Sequence, residues 1–330
     1  MTPRVWAVAR FSGAATILAV IVVRLGAGPL LSGIRSVSAG PLLAACGIAF
    51  VTTTSCAWRW RLIARGLGVP VGLGEAVAAY YRSQFLNGTL PGGVLGDVHR
   101  GVRHGRDAGD LGLGLRAVLW ERTAGQVVQV CLTIAVLATI PSPVRGVIVP
   151  ILVAGVLTVL VAAVALHGGT GRGTSRWGRA LQAIASDLRV GLAARRIWPG
   201  VLGCSIVAQA GHVITFLVAA RAAGATLPLV QLLPLALLVL LGAAVPANLG
   251  GWGPREGAAA WVFAAAGLTA AQGVAAGAAY GALVTAASLP GAVVLAAGAL
   301  ARRHHRVTPA LPFAAQRPAP ALATEGAFDG

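Results

Sequence analysis

The chain has 330 residues, of which 57% are hydrophobic and 11% are charged, and its mean hydropathy is +0.80. This composition cannot cover a water-facing globule with polar surface, so the sequence indicates a membrane protein with several spans. The formal net charge is +17, and all 26 basic residues are arginines. Because these arginines cluster at the ends of apolar segments and form no basic domain, we expect no nucleic-acid partner.

Six apolar segments are long enough to cross a bilayer, which takes about 20 residues in a helix. In chain order they are residues 8–26, 40–58, 111–140, 144–166, 199–223 and 270–300. The first follows Arg4 and Arg10 but has no convincing small-residue cleavage site, so we expect it to stay as an uncleaved span. The sequence therefore predicts an all-α fold, a polytopic membrane bundle with about six full spans.

Two further regions, 71–107 and 227–267, are apolar but are interrupted by glycine, proline and charged residues. Arginines close to the ends of spans mark the cytoplasmic side of a membrane. Such clusters occur at the N-terminus, after the second span, in the loop 172–196 and in the tail, so all four are predicted to be cytoplasmic. Each interrupted region must then enter and leave on the same side. We predict two re-entrant helical hairpins that enter the membrane from opposite faces.

The predicted elements follow the same order in two halves, residues 1–140 and 144–300. Each half has two spans, a hairpin and a third span, and the halves begin on opposite sides, which is an inverted-topology repeat. The hairpins share the pattern P-x4-G-x3-R, formed by Pro91, Gly96 and Arg100 and again by Pro246, Gly251 and Arg255. This shared pattern supports the repeat.

The domain prediction is one transmembrane domain over residues 1–303 and a disordered cytoplasmic tail over 304–330. The tail is rich in proline and alanine, which is typical of disorder. The polar, basic segment 167–198 is predicted to be a cytoplasmic linker with a short interfacial helix. We expect a multi-pass protein of the cell membrane with both termini in the cytoplasm.

Charged and polar residues near the two hairpins are the candidate site. Such residues are costly at membrane depth and mark a pathway or a paired site, and the N-terminus of a broken helix can bind phosphate. The candidates are Arg82, Asn87, Pro91, Asp97, Arg100, Glu121, Arg122, Pro246, Gly251, Arg255 and Glu256. Arginine forks suit a phosphodiester, and the carboxylates either hold the forks or meet a cationic headgroup. The alternative is that these charges only pair to hold helices together.

Other polar motifs indicate no metal, cofactor or catalytic residue. The cysteines lie inside apolar runs without ligand spacing, and His99 and His104 with Asp97 match no standard metal site, so solvated histidines are expected. The segment WRWR at 58–61 favours an interfacial anchor. Motifs of phosphate-binding loops, serine hydrolases and zinc proteases are absent from the sequence.

Four pieces of the sequence are WRWRLIARGLG at 58–68, FLNGTLPGGVLGDVHRG at 85–101, WERTAG at 120–125 and VPANLGGWGPREGA at 245–258. In their order and spacing the chain resembles the lysylphosphatidylglycerol synthase transmembrane regions, also called flippase-like domain proteins. The resemblance implies a membrane module that, in bifunctional members, moves aminoacylated phosphatidylglycerol to the outer leaflet. Those members carry a soluble synthase domain after the membrane part, whereas only residues 301–330 follow here, so we do not expect this chain to make the lipid.

The leading functional hypothesis is a lipid translocator. It would bind a phospholipid or lipid-linked phosphate through Arg100, Arg122 and Arg255 in a polar cavity between the hairpins. The alternative is a membrane enzyme or accessory subunit that acts on polyprenyl-phosphate sugars or glycolipids, with Asp97 or Glu121 as a base. A third hypothesis is a purely structural partner of another membrane complex.

Overall fold

The computed structural model describes residues 3–168, 186–187 and 196–307, and it describes side chains over 11–158, 186–187 and 196–300. These residues form helices joined by turns, with one isolated bridge between Leu249 and Trp252. The helices are α1 Pro3–Leu25, α2 Gly28–Arg35, α3 Ala39–Gly66, α4 Leu73–Thr89, α5 Leu95–Asp107, α6 Leu111–Thr139, α7 Arg145–Gly168, α8 Trp198–Ala222, α9 Leu229–Ala243, α10 Pro254–Ala265, α11 Ala270–Ala287 and α12 Pro290–Val307. The predicted all-α fold is confirmed.

The described helices include four that are long and apolar enough to cross a membrane: Ala39–Gly66, Leu111–Thr139, Trp198–Ala222 and Ala270–Leu300. A fifth candidate is the bent pair Phe11–Leu25 and Gly28–Arg35, whose two parts meet at 98°. The polytopic membrane bundle is therefore confirmed, with four or five such spans among the described residues. The predicted span 144–166 falls on α7, Arg145–Gly168, whose side chains are described only as far as Thr158.

Each of the two interrupted regions forms a pair of helices joined by a glycine-rich turn. Helices α4 and α5 are joined by residues 90–94, and α9 and α10 are joined by residues 244–253. Gly92 and Gly93 in the first turn and Gly250, Gly251 and Gly253 in the second have positive φ angles. Glycine adopts this left-handed backbone without the steric penalty that other residues meet, so these glycines allow the helices to break here.

The turns of the two helix pairs contact each other. The Gly92 N–H donates a hydrogen bond to the Asn248 carbonyl oxygen, with an N–O distance of 2.8 Å. At Gly93, whose φ is 64°, a β-carbon would overlap the Asn248 side chain. Residue 93 therefore needs both a positive φ angle and the absence of a β-carbon, and glycine meets both conditions. This contact brings the breaks of both regions to one place in the protein.

Helices of the two predicted halves pack in corresponding ways. Helix α3 packs along α8, and these two helices are the second long helices of their respective halves. Helix α5 packs on α6, and α10 packs on α11, so each helix pair lies against the next helix of its own half. Small residues allow the close approach, since a β-carbon at Gly273 of α11 would overlap the Ala259 carbonyl oxygen of α10.

The chain divides into two compact units, residues 1–294 and 295–330. All residues of the site described below belong to the first unit. The predicted interfacial helix in the linker 167–198 and most of the predicted tail 304–330 lie outside the described residues. The domain boundary at 303 stays a prediction.

Candidate functional site

A buried glutamate on α6 joins four helices. Glu121 has no solvent-exposed surface and accepts hydrogen bonds from the guanidinium of Arg59 on α3, with an Nε–O distance of 2.9 Å. It also accepts from the Tyr80 hydroxyl on α4 at 2.9 Å and from Arg100 on α5 at 3.0 Å. A buried carboxylate is stable only when it is paired and hydrogen-bonded, and these donors meet that condition.

A second carboxylate, Asp97 on α5, fixes the first helix pair. It accepts hydrogen bonds from the Ser83 hydroxyl at 2.9 Å and from the Asn87 amide at 3.0 Å, both on α4. The Asn87 side-chain oxygen in turn accepts from the Gly96 N–H at 2.8 Å. Arg122 on α6 pairs with Asp97 at 2.7 Å. Asp97 therefore links both helices of the pair to α6.

Arg100 bridges the two carboxylates but lies away from open space. Its guanidinium is 3.1 Å from Asp97 and 3.0 Å from Glu121, and its side chain has no exposed surface. It stacks over the rings of Trp60 at 4.6 Å and Tyr80 at 4.2 Å, measured from the guanidinium carbon to the ring centroid. Such stacking stabilises a cation that is screened from water. Arg100 thus holds the acidic residues in place.

The second helix pair carries its own ion pair at the start of α10. The Nε of Arg255 donates to Glu256 at 2.9 Å, and the other carboxylate oxygen of Glu256 accepts from the Gly253 N–H at 2.7 Å. The Arg255 guanidinium lies 5.3 Å from the Trp252 ring and 5.6 Å from the Tyr280 ring. Glu256 is fully buried, and its hydrogen bond with Arg255 fixes the position of the guanidinium group.

A cavity of about 330 Å³ lies between these groups. Helices of both halves line it, together with Gly93, Asn248 and Gly251 from the two turns. The charged side chains along its described wall are Arg59, Arg122 and Arg255, and all three are positive. The carboxylates that pair with these arginines, Glu121, Asp97 and Glu256, are not among the described lining residues. The cavity therefore presents guanidinium groups to any occupant.

The comparisons with known proteins now give the family. A model of the lysylphosphatidylglycerol synthase TM region matches residues 6–307. The chain belongs to this family. The resemblance found in the sequence is thereby confirmed, and with it a multi-pass membrane module. No curated protein and no solved structure gives a match.

In this lysylphosphatidylglycerol synthase TM region, two glycines make room for cavity arginines. A β-carbon at Gly125 of α6 would lie 2.9 Å from both terminal nitrogens of Arg59. A β-carbon at Gly281 of α11 would overlap the guanidinium of Arg255. Helices α6 and α11 hold corresponding places in the two halves. Each therefore seats one guanidinium group against its backbone.

The predicted site residues fall into three groups in this family member. Asn87, Arg122, Gly251 and Arg255 line the cavity. Asp97, Glu121 and Glu256 pair with cavity arginines from outside the described lining, and Arg100 joins Asp97 to Glu121. Pro91 and Pro246 lie in the turns, and Arg82 is a buried residue of α4, and none of these three lines the cavity. The helix packing thus gathers residues that are far apart in the chain.

Two interpretations from the sequence were wrong. Arg59 and Trp60 are buried at 5% and 1% exposure, and Arg59 reaches Glu121, so they form no interfacial anchor. His104 was expected to be solvated, but it is 6% exposed and its Nε2 lies 3.0 Å from the Val69 carbonyl oxygen. Arg59 is the one cavity arginine that the sequence missed. Its position in the segment WRWR at 58–61, at the predicted end of the second span, gave no sign of burial.

Proposed function

We propose that this protein is a lipid translocator that binds a phosphate-bearing headgroup in the cavity. The observation that carries the proposal is the cavity wall, which Arg59, Arg122 and Arg255 line while the described carboxylates do not. Planar guanidinium groups form paired, charge-assisted hydrogen bonds with phosphate oxygens. A phospholipid or a lipid-linked phosphate offers such a group inside a membrane.

The charge balance around the cavity favours an anion. The first network contains three arginines, Arg59, Arg100 and Arg122, and two carboxylates, Asp97 and Glu121. Each arginine has a carboxylate partner, but the cluster as a whole carries one net positive charge. Charges interact more strongly inside protein than in water, so this excess attracts a negative group. The side chain of Arg122, which is 43% exposed, is the most accessible member of the cluster.

The two helix pairs supply a route for the headgroup in this proposal. We interpret them as re-entrant hairpins of an inverted repeat, entering from opposite faces and meeting at Gly92 and Asn248. Non-helical backbone is tolerated at membrane depth where it lines a cavity, as these turns do. Rocking of one half against the other would open the cavity to each leaflet in turn. The lipid tails would stay in the bilayer.

The alternative of a membrane enzyme receives less support from the site. Asp97 and Glu121 were the candidate bases, but both accept hydrogen bonds from arginines and neither is part of the described cavity wall. A general base must come within hydrogen-bond reach of the proton that it removes. Formation of a glycolipid by the purified protein from a polyprenyl-phosphate sugar would decide for the enzyme.

A scrambling assay tests the proposal. The protein is reconstituted into liposomes with a fluorescent phospholipid, and dithionite bleaches the label in the outer leaflet. We expect bleaching beyond the outer-leaflet fraction. Because a hydrogen bond to a charged group contributes about 1.5–3 kcal/mol, Arg122→Gln and Arg255→Gln should each lower the initial rate by about 10- to 150-fold.

Arg103→Gln is the matched control, since Arg103 is exposed on α5 and lies outside the described cavity wall. Its rate should equal that of the wild type. Two outcomes would count against translocation: wild-type liposomes that bleach like empty ones, or Arg122→Gln and Arg255→Gln variants that scramble as fast as the wild type.

A further inference from the structure

The uncharged part of the cavity wall indicates which headgroup the site accepts. Resting on the proposed function, we infer that the substrate is an anionic lipid whose phosphate carries a neutral, hydroxyl-bearing group such as a polyol or a single sugar. We further infer that the site disfavours a headgroup with a net positive charge, such as an aminoacylated one.

The carboxylates of the site are bonded to protein groups and do not line the cavity. Both oxygens of Glu256 are already bonded, one to Arg255 and the other to the Gly253 N–H. Asp97 and Glu121 each accept from two arginines. The remaining acidic residues of the described chain, Glu75, Asp107, Asp110 and Asp187, are also absent from the wall. An ammonium group in the cavity would therefore meet guanidinium groups without a carboxylate, which is repulsive.

Side-chain amides provide much of the remaining polar surface of the cavity, beside hydroxyl groups and His212. They belong to Gln84, Asn87, Gln126, Gln129, Gln209 and Asn248. A carboxamide both donates and accepts hydrogen bonds, so it matches a hydroxyl group, which does the same. The Asn87 amide is already bonded to Asp97 and to the Gly96 N–H, and the other five suit a ligand with several hydroxyl groups better than a bare phosphate.

Gln209 on α8 gives independent support for a ligand. Its residue is 8% exposed, and its Nε2 is buried without a hydrogen-bond partner among the described residues. A buried donor left without an acceptor is destabilising, so such groups are rare in proteins unless something binds to them. Gln209 lines the cavity, and a ligand hydroxyl would supply the missing acceptor.

The size of the cavity limits the headgroup. Ligand pockets commonly span about 300–1,000 Å³, and the volume here, about 330 Å³, is near the lower end of that range. This space suits a phosphate with one polyol or one sugar ring. A branched or extended oligosaccharide would not fit inside.

Native mass spectrometry of the full chain in detergent tests the inference with defined lipids at equal concentration. The probes are phosphatidylglycerol and phosphatidylinositol, which are anionic and hydroxyl-bearing, phosphatidic acid, which lacks the hydroxyl group, and lysylphosphatidylglycerol, which is cationic. We expect phosphatidylglycerol and phosphatidylinositol to bind about tenfold more tightly than the cationic lipid.

Gln209→Leu separates the hydroxyl contact from the phosphate contact. It removes an unpaired buried amide, so the fold should tolerate it. The variant should weaken binding of phosphatidylglycerol and phosphatidylinositol by about 3- to 10-fold and leave phosphatidic acid unchanged. Arg255→Gln, in contrast, should weaken all three anionic lipids.

The outcomes distinguish this inference from the proposed function. Lysylphosphatidylglycerol binding as tightly as phosphatidylglycerol would overturn the headgroup class, and so would a Gln209→Leu variant with unchanged lipid preferences. Translocation would survive either result if scrambling still depended on Arg122 and Arg255. Absence of binding for every probe, together with absence of scrambling, would overturn both.

Discussion

Removal of the Glu121 carboxylate should destabilise the protein strongly. Glu121→Ala leaves Arg59 and Arg100 without their shared partner, at a position where the side chains of Glu121 and Arg100 have no exposed surface. Arg100 keeps Asp97, but Arg59 keeps only weaker partners such as the Ser205 hydroxyl at 3.0 Å. The variant thus converts a compensated buried cluster into one with uncompensated positive charge.

The magnitude follows from the contacts that are lost. Glu121 accepts four hydrogen bonds, two from Arg59 and one each from Tyr80 and Arg100. At about 1.5–3 kcal/mol for each bond to a charged group, simple addition would give roughly 6–12 kcal/mol. Contacts within one network are not additive, and breaking a buried ion pair typically costs about 3–5 kcal/mol. We therefore expect a loss of about 3–5 kcal/mol in the free energy of unfolding.

The assay is unfolding by sodium dodecyl sulfate in mixed micelles, followed by circular dichroism and tryptophan fluorescence. Glu75→Ala is the control, because Glu75 is an exposed carboxylate at the start of α4 and its removal should change the free energy by less than about 0.5 kcal/mol. A Glu121→Ala variant that unfolds within about 1 kcal/mol of the wild type would refute the central role of this carboxylate in the network.

Two glycine substitutions separate packing from function. Gly96→Ala should lower the free energy of unfolding by about 1–3 kcal/mol, because its β-carbon would overlap a backbone carbonyl of α4. The control Gly74→Ala, on α4, places its β-carbon in open space and should not destabilise the protein. Equal stability of the two variants would contradict the packing of this helix pair. Gly281→Ala should displace the Arg255 guanidinium and slow lipid scrambling. Gly277→Ala, one turn earlier, makes only ordinary contacts and should scramble normally. Unchanged scrambling in Gly281→Ala would argue against Arg255 as a headgroup ligand.

The helical hairpin regions were predictable because their signals are local. Pro91 and the glycines that follow it interrupt an apolar run, and such residues end helices whatever surrounds them. The sequence also identified residues such as Asp97 and Arg122, since charges inside apolar segments are rare. The contact of Gly92 with Asn248 was not predictable, because it joins two turns far apart in the chain and depends on how the helices pack.

The errors arose where tertiary contacts override a local rule. Arginine counting treats every arginine near a span end as interfacial, but α3 continues to Gly66, beyond the predicted end at 58. Arg59 therefore lies inside a helix, where Glu121 pairs with it. Arg100 was predicted to hold a phosphate, yet it is enclosed by two carboxylates and two rings, and the exposed position beside Asp97 belongs to Arg122.

Cryo-electron microscopy of the protein in a lipid nanodisc, with a bound antibody fragment to add mass, would show whether the two turns lie inside the bilayer and whether a lipid headgroup binds between them. We expect the turns at Gly92 and Asn248 near the middle of the bilayer and phosphate density within hydrogen-bond distance of Arg122 and Arg255. Hairpin regions that cross the bilayer completely would contradict this expectation. Lipid density confined to the outer surface, with the guanidinium groups facing bulk water, would contradict it equally.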